Sequence, residues 1–110
     1  MPMNKSPDFD IEGYIVDPEA WDESLARDLA QQEGLQLNEN YWKILKFMRG
    51  FWQQNRIAPD VRHVTRYLSE ELDLDKKASK RLLFDLFPYG YVKQACRIAG
   101  MRRPRVWSTG

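Results

Sequence analysis

The chain has 110 residues, 43% hydrophobic and 13% aromatic, with a formal net charge of +1. That is the make-up of one folded domain, and it excludes a disordered polar chain. A single cysteine and a single histidine rule out an internal disulfide and argue against any zinc site, so no metal and no cofactor are expected.

Residues 1–8 hold Pro2 and Pro7 and no periodicity, and read as a disordered start. Phe9 to Val16 alternates weakly around Glu12-Gly13, which predicts a short β element. Asp17-Pro18 signals a helix start, since Asp caps and Pro fits the first helical position. Trp21, Leu25 and Leu29 follow at four-residue steps beside Ala26 and Ala30, and Gly34 stops that helix. Asn38 caps a second helix with a broad apolar surface: Tyr41, Trp42, Ile44, Leu45, Phe47, Met48, Phe51 and Trp52. It is expected to be the central helix, its aromatics serving as core, with Gly50 inside it at about 1 kcal/mol relative to Ala.

Ile57-Ala58-Pro59-Asp60 reads as a turn into a third helix with Val61, Val64, Leu68 and Leu72 inward. Asp73-Leu74-Asp75 leads into a fourth, with Ala78, Leu82, Leu83 and Leu86 inward and Pro88 as its stop. Gly90 opens a short fifth helix carrying Val92, Ala95, Cys96 and Ala99, and Gly100 closes it. The fold class expected is mostly α: a small orthogonal bundle of about five helices over residues 9–100, with a flexible arm at 101–110. No apolar run approaches a membrane span, and the first residues lack a signal-peptide core, so a cytoplasmic location is expected.

The small net charge conceals a split. Asp85 is the last acid; after it come Lys93, Arg97, Arg102, Arg103 and Arg105 with no carboxylate among them. Such an arm suits an acidic surface, the protein's own body included. Cys96 is the one nucleophilic candidate. Lys93 and Arg97 beside it, and its place early in a short helix, favour the reactive thiolate. The competing reading is a small buried residue on the apolar stripe of Val92, Ala95 and Ala99. His63 would need to meet Cys96 across space to make a catalytic pair, and is read instead as a surface or satisfied histidine. The third and fourth helices resemble a helix-turn-helix pair bearing Arg62, Arg66, Lys76, Lys77, Lys80 and Arg81. Glu70, Glu71, Asp73 and Asp75 lie among those bases and would repel phosphate, so a solvated mixed-charge face competes with nucleic-acid binding.

Several blocks resemble the DsrC/TusE family. They are Glu12-Gly13-Tyr14, the Trp21 helix, Glu33-Gly34-Leu35, Trp42 with Phe47-Met48-Arg49, Ala58-Pro59-Asp60-Val61-Arg62, and Leu86-Phe87-Pro88-Tyr89-Gly90. The most specific is Lys93-Gln94-Ala95-Cys96-Arg97-Ile98-Ala99-Gly100, and the resemblance runs from about Asp10 to Pro104. It implies a small helical fold and a C-terminal arm whose near-terminal cysteine accepts sulfur as a persulfide. In some members a second cysteine, placed like Cys96, pairs with the first. It also implies sulfur-relay work with protein partners: a sulfurtransferase relay complex, a dissimilatory sulfite reductase or a tRNA-thiolating enzyme. At the arm's cysteine position, eleven residues after Cys96, this chain has Trp107, and where the family has Gly-Pro it has Gly90-Tyr91. The N-terminal hairpin also reads as shortened.

The expected function is therefore sulfur relay, with Cys96 as the candidate sulfur acceptor and Lys93, Arg97, Arg102, Arg103, Arg105 and Trp107 as candidate partner-binding residues. Such a protein would be a carrier, not a stand-alone catalyst. The alternatives are a docking or regulatory paralogue that does not carry sulfur, or a nucleic-acid-binding regulator.

Overall fold

The computed structural model describes residues 7–104. Four helices form the body: α1 (Glu23–Gln32), α2 (Glu39–Asn55), α3 (Val61–Leu72) and α4 (Lys76–Leu86). A π-helical turn, Tyr91–Ala95, runs directly into α5 (Cys96–Ile98). Each body helix starts on a side chain that accepts backbone N–H groups: Asp22 for α1, Asn38 for α2, Asp60 for α3 and Asp75 for α4. The expected helical bundle is what forms.

The core is built around α2 and the C-terminal segment. Ile44, Leu45 and Met48 of α2 are fully buried against Val64 and Leu68 of α3, Leu83 of α4, and Phe87. Tyr91, Ala95, Cys96, Ile98, Ala99 and Met101 complete it, so the segment from Tyr91 to Met101 threads the centre of the molecule. Each large apolar side chain so buried is worth roughly 1.5–3 kcal/mol. The rings of Tyr41 and Phe87 meet edge to face, with centroids 5.2 Å apart. No described helix is long and apolar enough to cross a membrane.

Three expectations about local structure change. No strand forms among the described residues; Phe9 and Ile15 make one isolated antiparallel bridge. The Asp10 carboxylate accepts from the amides of Glu12 and Tyr14, both at 2.9 Å, and closes the turn, across which the Asp10 N–H donates to the Tyr14 carbonyl and the Val16 N–H to the Asp8 carbonyl without building a strand. The first helix is split. Asp17 caps a 3-10 turn at Pro18–Ala20, Trp21 is extended, and Asp22 caps α1 afresh. The fifth helix opens in π register, not α.

Candidate functional site

The site is built on the segment from Gly90 to Pro104. Gly90 has φ 101°, a conformation open to glycine and strained for other residues, and it turns the chain into the π turn. There the N–H of Cys96 donates to the carbonyl of Tyr91. Five residues apart, these two would lie on separated faces of an α-helix with 3.6 residues per turn. The i to i+5 register brings both inward. The Tyr91 hydroxyl donates to the Pro59 carbonyl. The Cys96 thiol lies within reach of this Tyr91 hydroxyl.

Cys96 is 0% exposed. Burial pushes its thiol up to about 12, against which the Tyr91 hydroxyl acts only in part. Of the two readings of Cys96, the structure shows the buried one. Lys93 is exposed to solvent. Arg97 pairs with Glu33 at 3.7 Å and lies over the Tyr14 ring, 5.1 Å from its centroid. The burial of Tyr91 likewise drives its phenol far above the ordinary tyrosine range. His63 is held at the start of α3, where its Nδ1 accepts from the Asp60 amide and its ring packs on Phe51 at 4.8 Å. It forms no described bond to Cys96, so there is no Cys–His pair among the described residues.

The first residues of the expected arm are tied to the body. Gly100, at φ 74°, closes α5 with the N–H of Met101 on the Cys96 carbonyl and its own N–H on that of Arg97. Met101 is fully buried. Arg102 Nε donates to the Val16 carbonyl at 3.1 Å, and Arg103 pairs with Glu12 at 3.1 Å. Arg105 and Trp107 lie outside the described residues. Thus Arg97, Arg102 and Arg103 spend their nearest bonds on this molecule, and Cys96 is buried in the core.

Two residues that hold this segment stand in blocks that resemble the family but are not among the candidate site residues; apart from that resemblance, their only signal is an odd polar group in an apolar stretch. Arg49, on central helix α2, donates to the carbonyls of Pro18 (2.8 Å), Ala99 (3.2 Å) and Gly100 (3.0 Å). Its guanidinium lies over the rings of Trp21 and Trp52, 4.6 and 5.0 Å from their centroids. Gln94, 1% exposed, accepts from the Tyr89 amide and donates to Glu33, both at 3.0 Å. By contrast Arg62, Arg66, Lys76, Lys77, Lys80 and Arg81 all stand in solvent.

Comparison with known proteins agrees with this architecture. The family model described as DsrC like protein matches residues 3–106. The Sulfurtransferase TusE of Pectobacterium atrosepticum is 39% identical over 95 residues, covering 86% of each chain. That of Escherichia coli is 33% identical over 100 residues, covering 91% of each. Among solved structures, the oxidized gamma-subunit of the dissimilatory sulfite reductase (DsrC) from Archaeoglobus fulgidus superposes with a TM-score of 0.79 at 32% identity. That superposition covers 96% of this chain and 92% of the other. Allochromatium vinosum DsrC gives 0.78 at 38% identity, covering 92% and 89%. A match running the length of the body, through the buried Cys96 block to the start of the arm, means that this chain belongs to the DsrC-like family.

Proposed function

We propose that this chain is a sulfur-relay protein of the DsrC/TusE type that works in the cytoplasm by docking onto a sulfurtransferase or sulfite-reductase partner. The observation that carries the reading is the near full-length likeness to TusE sulfurtransferases and to DsrC structures. Lys93, Arg97, Arg102, Arg103, Arg105 and Trp107 are the residues proposed to meet that partner. Covalent carriage on this chain has one possible atom, the Sγ of Cys96, because the sequence holds no other thiol. The thiolate would attack the outer sulfur of a donor persulfide, form the Cys96 persulfide and release the donor as its thiolate. That step requires an opened state in which Cys96 is exposed.

The burial of Cys96 favours a second reading, a docking member of the relay that carries no sulfur. One experiment separates the two. Intact mass is recorded after incubation with a persulfide donor, with and without the purified partner, beside Cys96→Ser. A reductant-sensitive gain of one sulfur atom, lost in the variant, establishes carriage. Partner binding without any adduct establishes docking alone, and neither binding nor adduct overturns both readings.

A further inference from the structure

A groove of about 930 Å³, whose lining includes Arg102 and Arg103 but not Cys96, lies on the surface of the body. It runs between the Pro18–Ala20 turn, the end of α2, the start of α3 and the segment from Arg102 to Pro104. Its volume is at the upper end of ordinary binding clefts and gives room for a short peptide. The floor is apolar: Phe51, Ile57 and Val61 face it. Ile57 is 64% exposed in the turn after α2, where Arg56 takes a left-handed φ of 59°. An apolar floor rimmed by polar groups marks an interaction surface more often than a scattered apolar residue does.

The rim carries four guanidiniums and three carboxylates, and each carboxylate already has at least one described partner. Asp17 accepts from the Glu19 amide at 3.0 Å. Asp60 accepts from the amides of Arg62 and His63 at 2.9 and 3.1 Å, and from the Arg62 side chain at 3.3 Å. Glu19 is paired with Arg56 at 3.2 Å. The guanidiniums are far from saturated. Each carries about five N–H donors, and the described bonds of Arg56, Arg62, Arg102 and Arg103 use one side-chain nitrogen apiece. Arg102 meets only a backbone carbonyl among the described residues, so its charge faces no described carboxylate. The rim thus has one guanidinium more than it has carboxylates, and more unused donors than unused acceptors. Carboxylates supply what it lacks, and they pair with guanidinium through two parallel bonds.

We propose that this groove docks an acidic peptide segment of a partner protein. An aliphatic or aromatic residue of that segment seats on Phe51, Ile57 and Val61, and its carboxylates meet Arg62 and Arg102. The proposal names the chemistry of the partner that the relay reading requires, and rests on that reading for its setting. The chain's own residues 105–110 are a poorer occupant, because they bring Arg105 and no acid. Arg and aromatic side chains are also the groups that most often dominate interface energy.

The test uses the full chain, labelled for amide-shift mapping, and a capped hexapeptide with a central Leu-Phe pair flanked by Asp and Glu. A control peptide carries Asn and Gln in their place. The acidic peptide is expected to bind about tenfold tighter or better, to weaken as salt rises, and to shift the amides of Ile57, Val61 and Arg62. Arg62→Glu and Ile57→Ser, both at exposed side chains, are each expected to weaken it several-fold with the fold intact. Equal binding of the two peptides overturns the proposal, as do shifts confined to another face. Concentration-dependent self-association through the same amides assigns the groove to a second copy and overturns it. A response of those amides to Trp107→Ala without peptide assigns it to the chain's own tail, with the same result. Loss of peptide binding leaves the relay reading standing. Loss of binding to the purified relay partner, with peptide binding retained, removes the relay reading instead.

Discussion

At the scale of residues, the behaviour of Cys96 is set by what encloses it, not by what flanks it. Lys93 and Arg97 were reasons to expect a thiolate, yet neither helps the thiol here, and burial wins. Sequence gives neighbours along a helix. It could not give the Tyr91 contact, which depends on a π register that no residue type announces. The buried reading was visible in the stripe of Val92, Ala95 and Ala99, and the structure selects it. Tyr91→Phe removes the hydroxyl and leaves the Pro59 carbonyl without its donor, a loss of about 1–3 kcal/mol for a buried acceptor. If Tyr91 latches the segment over Cys96, alkylation of the native protein by iodoacetamide accelerates by roughly one to two decades in this variant. A lower melting temperature with unchanged labelling below the transition would show that Cys96 is exposed by some other opening.

The same thiol predicts an alkaline loss of stability. A cysteine whose folded pKa is raised stays protonated in the native state while the unfolded chain ionises. The unfolded state then binds fewer protons, and stability falls as pH rises from the unfolded value near 9 toward about 12. The slope contributed is about 1.4 kcal/mol per pH unit. Urea titrations from pH 7 to 10.5 on the native protein and Cys96→Ala should diverge above pH 9, the native protein losing stability faster. Parallel curves would mean that Cys96 is already accessible in the folded state.

At the scale of elements, the stops and starts were the most legible features because caps act locally. Asn38, Asp60, Asp75, Gly34 and Gly100 all do what their residue types suggest. Asp22 was missed, since Asp17 five residues earlier already satisfied the pattern of a start. The break between them lets Trp21 turn under the C-terminal segment, where its Nε1 donates to the Ile98 carbonyl at 2.8 Å. This makes Gly100 critical twice over. A Cβ there would lie 2.3 Å from Trp21 Cδ1, on a residue with φ 74°. Gly100→Ala is expected to cost about 2–5 kcal/mol, the sum of overpacking and a left-handed penalty. Chemical denaturation checks it, and Trp21→Leu in the same background should recover part of the loss. Asp60→Ala, by contrast, should cost about 1 kcal/mol through a lost cap. Burial alone would raise the Asp60 carboxyl, but the His63 amide and the His63 and Arg62 charges hold it below its ordinary value. Its contribution is therefore present above the usual carboxylate range and lost as pH falls through it. The gap between native and D60A stability should close in acid.

At the scale of the molecule, the charge split in the sequence is answered in part from within: Arg97 returns to Glu33 and Arg103 to Glu12. That was one of the surfaces an acid-free tail could have met, and only the fold could choose it. What joins the parts is Arg49. One guanidinium ties the Pro18 turn, the centre of α2 and the close of α5 through three carbonyls, between two indoles. Burial lowers its pKa from the ordinary arginine value, yet the carbonyls compensate the charge. Lysine brings a point charge with no planar fork, so it cannot span the same three oxygens or lie flat between the rings. Arg49→Lys is expected to lose about 2–3 kcal/mol, and Arg49→Met about 2–4 kcal/mol, because either leaves buried carbonyls short of donors. The informative readout is where the loss falls. If Arg49 is a junction, amide exchange in both variants should accelerate together at residues 18–21 and 97–101, while α3 and α4 keep their protection. Acceleration spread evenly over all helices would show that Arg49 adds only to global stability, and that the N-terminal turn and the Cys96 segment open independently.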